Sequence, residues 1–262
     1  YARAQVEDDD LVVLPFRLDM LSDEEAGLAR AQLGTAEFDL LEQSIVFVFS
    51  SLRLLKQATP ATEAWGTGGV PGAADGKWGL RDKGWVLISA GVKSVRLVTN
   101  RHEVCTEFRP LVYCFHRQET TGAILIMFVA LREALRSLHG IALKLSTFCS
   151  DGKVSFPNAQ RIVFPEAKYH TCSVHIQTHV PKMRSLFKEY DHAKDLDNIL
   201  AVLKKAPTQE CFSNLLLKAV VFLRDVLVPR EPDVAAWLQT HNSFPGNKWW
   251  TGASEVVGVL SE

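Results

Sequence analysis

An apolar strand that runs out on a carboxylate is the feature that most restricts this chain. Leu143, Leu145 and Phe148 read as the buried positions of a strand, and Asp151-Gly152 turns the chain directly after it. Ala159, Ile162 and Val163 then mark the inner face of a short helix. A carboxylate at the carboxyl end of a strand sits at a sheet edge, where α/β proteins gather ligands and metals. Asp151 is thus the first residue to carry a functional expectation.

The neighbouring pattern extends this unit in both directions. Trp85 to Ser89, Val92 to Thr99 and Pro110 to Phe115 read as strands joined by short polar turns. Glu119 opens a helix to Leu138 that Gly140 ends, and a further strand is expected from Tyr169 to Val174. The resulting order is β-β-β-α-β-α-β-α. Upstream, Ser22 with Asp23, Glu24 and Glu25 forms a capping-box helix start. The apolar centre Ile45 to Phe49 fits either a strand or a buried helix. From Ala58 to Gly84 the chain is rich in glycine, proline and alanine, which reads as a connector. Beyond His179 the pattern is helical, over Lys182 to Ala206, Glu210 to Val226 and Val234 to Thr240, with Pro207, Pro229 and Pro232 as breaks. Three divisions follow: an extension and connector over 1–82, an α/β core over 83–180, and a helical segment over 181–262.

With 262 residues and 47% hydrophobic content, the chain can build a sizeable core. Its formal net charge of −1 gives no global signature of nucleic-acid binding, so any such contact must come from a local patch. The 5 cysteines, Cys105, Cys114, Cys149, Cys172 and Cys211, show no paired spacing and read as reduced thiols in an intracellular compartment. The longest apolar run, Ala123 to Leu131, is too short to cross a bilayer, so no membrane partner is expected.

Taken in order, Asp151-Gly152, Asn158-Ala159, Phe164-Pro165 and Cys172-Ser-Val-His175 resemble the transposase domain of Mutator-like elements, the MULE family. Phe108-Arg-Pro-Leu111 and Gln118-Glu-Thr120 fit the same pattern upstream, and the resemblance spans roughly residues 85 to 176. It implies a ribonuclease H-like fold: a mixed five-stranded sheet with flanking helices, here followed by a C-terminal helical segment. Two divalent ions, Mg²⁺ or Mn²⁺, held by three carboxylates would cut and join DNA at transposon ends, in the nucleus, in a chain that can self-associate. In that fold the first strand is central and neighbours the fourth. With Trp85 to Ser89 taken as the first strand, the first acid falls on Ala90, which points to a degenerate copy. Asp75 and Asp82 are the nearest upstream acids, and neither ends an apolar strand in the sequence pattern. Trp249-Trp-Thr-Gly252 is similar to the region before the third acid of these transposases, which is expected past Glu262.

Among the candidate ligands, Asp151 comes first and Glu119 second, because the helix after the third strand faces the metal edge in nucleases of this fold. A turn-forming Asp before Gly and an acid favoured by a helix N-terminus are the plainer readings of the two. Cys172 and His175, with His170 and His179, could suggest zinc. One C-x-x-H supplies only two of the four ligands a closed structural site needs, so zinc is disfavoured and Cys172 is expected to be buried. Lys182, Arg184 and Lys188 form a basic stripe that Glu189, Asp191, Asp195 and Asp197 offset. A catalytically inactive DNA- or protein-binding derivative and a ribonuclease H-like nuclease are the alternative functions.

Overall fold

The computed structural model describes residues 9–78, 85–98, 103–151, 153–172, 187–206, 208–222, 225, 228–231 and 233. The chain divides into two compact units, Tyr1–Tyr169 and His170–Glu262. Seven strands form one mixed sheet: β1 (Leu11–Val13), β2 (Phe47–Ser51), β3 (Val70–Trp78), β4 (Val86–Val98), β5 (Glu103–His116), β6 (Leu145–Ser150) and β7 (Lys168–Thr171). Their order across the sheet is β1-β2-β5-β4-β3-β6-β7. The pairs β1/β2, β2/β5, β5/β4 and β4/β3 are antiparallel, whereas β3 and β6 run parallel.

Three of the seven strands, β1, β2 and β3, come from residues 1–82. The ambiguous run around Ile45 to Phe49 resolves as strand, because Val48 is 2% exposed and pairs with Cys114 of β5. The expected break between Ser89 and Val92 is also absent. Residues 86–98 form one strand, with a bulge between Ala90 and Gly91. A Cβ at Gly91 would run into the Arg109 carbonyl, which is why the bulge falls on a glycine.

The connector contains the strand that the pattern missed. Val70-Pro-Gly-Ala-Ala-Asp-Gly-Lys-Trp78 has the composition of a loop, yet it is β3, between β4 and β6. Small residues are needed there because other groups crowd the strand. A Cβ at Gly72 would lie 3.0 Å from the Leu145 side chain and 3.2 Å from the Phe148 ring. Pro71 sits where the β3/β6 register shifts, which spares a ladder hydrogen bond.

The helices of the first unit are α1 (Asp23–Leu33), α2 (Thr35–Asp39), α3 (Leu52–Lys56), α4 (Ala58–Trp65), α5 (Thr121–His139) and α6 (Ser155–Val163). The Ser22 capping box forms as expected, with both reciprocal bonds to Glu25. The same Glu25 carboxylate pairs with Arg132, tying α1 to α5. Residues 122 to 131 of α5 are all buried, which accounts for its apolar run without a membrane. Thr120 caps its N-terminus by accepting from the Ala123 N–H, and Gly140 ends it at φ 67°. Phe128 meets the edges of Phe148 at 5.2 Å and Phe164 at 5.7 Å, so α5, β6 and the end of α6 share one core. Full burial of each such ring stabilises by about 1.5–3 kcal/mol.

In the second unit, α7 (Tyr190–Lys204) and α8 (Gln209–Phe222) match the expected helices in part. The start of the first at Lys182 and the helix over Val234 to Thr240 lie outside the described residues. Glu231, 1% exposed, accepts from the N–H groups of Lys188 (2.9 Å) and Glu189 (3.0 Å) and meets His192 Nδ1 at 3.0 Å. Burial pushes its carboxyl up, but these donors outweigh that and hold it below the ordinary glutamate value. It therefore ties down the two residues that lead into α7.

Candidate functional site

β3 runs parallel to β6 and continues past its carboxyl end, and the segment leading into α5 reaches the same place through Glu119. The last paired residues of the two parallel strands are Ala73 and Cys149. Asp75 and Asp151 each stand two positions farther on, at 73 + 2 and 149 + 2. Asp75 is exposed and lies opposite Ser89 of β4, whose hydroxyl donates to the Asp75 carbonyl at 3.5 Å.

Glu119 stands immediately before the Thr120 cap, and its side chain is only 1% exposed. It crosses β3 at Gly76: a Cβ there would be 2.7 Å from Glu119 Oε2. Three groups hold the carboxylate. Lys153 Nζ donates to Oε2 at 2.8 Å, Ser155 Oγ donates to Oε1 at 3.4 Å, and the helix N-terminus favours the negative charge. Burial pushes the Glu119 carboxyl above the ordinary value of 4.5; the Lys153 hydrogen bond pulls it down, and the Asp151 charge pushes it up again.

Asp151 is 14% exposed and closes its own turn, accepting from the Lys153 N–H at 3.1 Å. Its second oxygen lies 3.7 Å from Lys153 Nζ. One ammonium thus stands against both carboxylates. Asp151 and Glu119, 32 positions apart in sequence, are brought together by the fold, with Lys153 between them.

Ala90 is not part of this edge. It lies in the middle of β4, 2% exposed, paired with Ala74 and Val112, and β3 separates β4 from β6. The expectation that Ala90 and Asp151 end adjacent strands is corrected accordingly, because the strand beside β6 starts at Val70 rather than at Trp85. Asp75 is the residue that sequence reasoning passed over as a site. Its signal was present: Asp75-Gly76 after two alanines repeats the Asp151-Gly152 pair.

The cysteine and histidine group is only partly described. Cys172 is half-buried rather than buried, and Cys114, Cys149, Cys172 and Cys211 form no disulfide. His170 is buried on β7, while His175 and His179 lie outside the described residues. The Cys114 thiol is pushed up to about 12 by burial, which makes it inert. Lys182 and Arg184 also lie outside the described residues. Among the described residues, no three His, Cys, Asp or Glu side chains are placed to hold one ion. Nor is any helix among them long and apolar enough to cross a membrane.

The Asp151 and Glu119 carboxylates are hard oxygen donors of the kind that Mg²⁺ and Mn²⁺ prefer, and a cation, the Lys153 ammonium, already stands against both. Mg²⁺ is commonly bound through only one or two carboxylates, with waters and substrate phosphates completing its shell. No protein-family model matches the chain, and no curated protein is significantly similar to it.

Proposed function

We propose that the chain is a MULE-type DNA transposase domain on a ribonuclease H-like core, acting in metal-dependent DNA strand cleavage and transfer. The observation that carries this reading is the parallel pairing of β3 with β6, with Asp75 and Asp151 each two residues past the last pair. The sheet order β5-β4-β3-β6-β7 puts the first strand of that set centrally beside the fourth, as the ribonuclease H-like fold requires. Asp75 then stands in the place that the sequence pattern gave to Ala90, and a missing first acid no longer follows.

Bound Mg²⁺ or Mn²⁺ would activate a water or 3′-hydroxyl and stabilise the leaving oxygen. Asp75 would hold it from within β3 and Asp151 from the turn that directly follows β6. Glu119, fixed by Ser155 and the α5 N-terminus, would lend a third carboxylate to the same edge. DNA at transposon ends, nuclear localisation and self-association belong to this reading. A second reading, a ribonuclease H-like nuclease, is favoured by the convergence of Glu119 with Asp151 at a helix that faces the metal edge in such nucleases.

The test is Mn²⁺ binding by the parent, Asp75→Asn and Asp151→Asn, together with incubation on labelled duplex DNA and on an RNA–DNA hybrid. Saturable binding weakened by either substitution is expected. Cleavage of the hybrid alone would select the nuclease reading, and binding indifferent to both aspartates would refute a metal site at this edge.

A further inference from the structure

We infer that Lys153 is a built-in competitor of the divalent cation: its ammonium occupies the cation position between Glu119 and Asp151, and metal enters by displacing it. This rests on the metal-binding reading of that edge. The geometry is specific to Lys153. Its Nζ lies 2.8 Å from Glu119 Oε2 and 3.7 Å from Asp151 Oδ2, while its own N–H fixes the other Asp151 oxygen at 3.1 Å. The backbone bond holds the residue in place while the ammonium swings, and at 41% exposure the side chain has solvent to swing into.

Glu119 cannot make the same move. At 1% exposure it is enclosed between Gly76 and Ser155, so the carboxylate stays and its counter-ion is the part that exchanges. A buried carboxylate left without a positive partner is costly, which is why the metal-free protein keeps the ammonium there. Adding a divalent ion beside that ammonium would set like charges within a few ångströms, so the two occupants exclude one another. The exchange is a swap of cations at fixed carboxylates, with no bond made or broken in the chain.

The experiment is a Mn²⁺ titration of the full chain followed by loss of the free-ion electron paramagnetic resonance signal, with melting temperatures recorded in parallel. It compares the parent with Lys153→Met, Lys153→Gln, Lys153→Arg and Asp151→Asn. Lys153→Met is expected to bind Mn²⁺ about fivefold more tightly, the most that loss of one partly exposed ion pair implies, and Lys153→Gln to follow it. Lys153→Arg should stay near the parent because it keeps the competing charge. Without metal, Lys153→Met should melt below the parent, and saturating Mn²⁺ should raise its melting temperature by more than it raises the parent's. Equal or weaker affinity in both neutral variants, with binding still lost in Asp151→Asn, overturns the role of Lys153 and leaves the metal site standing. No Mn²⁺ binding by the parent or by either neutral variant overturns both. If Lys153→Met does not fold, Lys153→Gln decides between these outcomes.

Discussion

Replacing Gly76 by alanine tests the placement of Glu119 most directly. The added Cβ would lie 2.7 Å from Glu119 Oε2 and 3.6 Å from its Cδ, and at an ordinary 3.5 Å from Val86 Cγ1. Only the carboxylate is in the way, and it must retreat by about 0.7 Å or more to reach normal contact distance. A long side chain could usually do so freely. Here the retreat pulls Oε2 from Lys153 or Oε1 from Ser155, inside a pocket where the carboxylate is 1% exposed. Loss of a hydrogen bond to a charged, buried group costs about 1.5–3 kcal/mol. The opposing gain, from a stiffer unfolded chain, is about 0.4–1 kcal/mol, and the Gly76 backbone is in no left-handed conformation that alanine would resist. The net expectation is a destabilisation of about 1–2 kcal/mol, read from urea unfolding. In a Glu119→Ala background the clash has no partner, and Gly76→Ala should be neutral or stabilising. A penalty that persists undiminished in that background would refute the packing of Glu119 over Gly76. So would a Gly76→Ala variant as stable as the parent.

The raised Glu119 carboxyl has a pH signature. A glutamate that holds its proton more tightly when folded stabilises below its unfolded value, and that contribution fades as pH rises through 4.5 towards the folded value. Glu119→Gln should flatten this decline in a melting-temperature profile, and identical slopes for the two proteins would count against the burial of the carboxylate. For Glu231 the sign reverses: its lowered pKa gives stability that is present above 4.5 and lost as pH falls below it, and Glu231→Gln should abolish that acid sensitivity in the unfolding of α7 monitored by circular dichroism. Gly27, inside α1 with nothing within 4 Å of its would-be Cβ, is the control glycine. Gly27→Ala should stabilise by about 0.5–1 kcal/mol, and a destabilisation would mean that α1 is misplaced.

The sequence alone determined the elements whose evidence is local. The Ser22 capping box, the end of α5 at Gly140, the inner face of α6 and the strand that leads to Asp151 all rest on neighbours within a few residues. Glu119 and Asp151 were also legible as acids placed beside strand and helix ends. What the sequence could not show was which strand lies beside β6. The strand with the strongest β pattern, Trp85 to Ser89, drew that assignment, while β3 is built of glycine, alanine and proline. Those residues look like a connector because they lack the bulk that marks a strand. They are small because Leu145 and Phe148 press on Gly72 from 73 and 76 positions away, and the Glu119 carboxylate presses on Gly76 from 43. Such crowding exists only once the chain has folded, so Asp75 reads as a loop acid in the sequence and as a strand residue, two positions past the last β3/β6 pair, in the structure. Lys153 gained its meaning in the same way: next to Asp151 it is an ordinary turn residue, and only the approach of Glu119 makes its ammonium the shared counter-ion of two carboxylates.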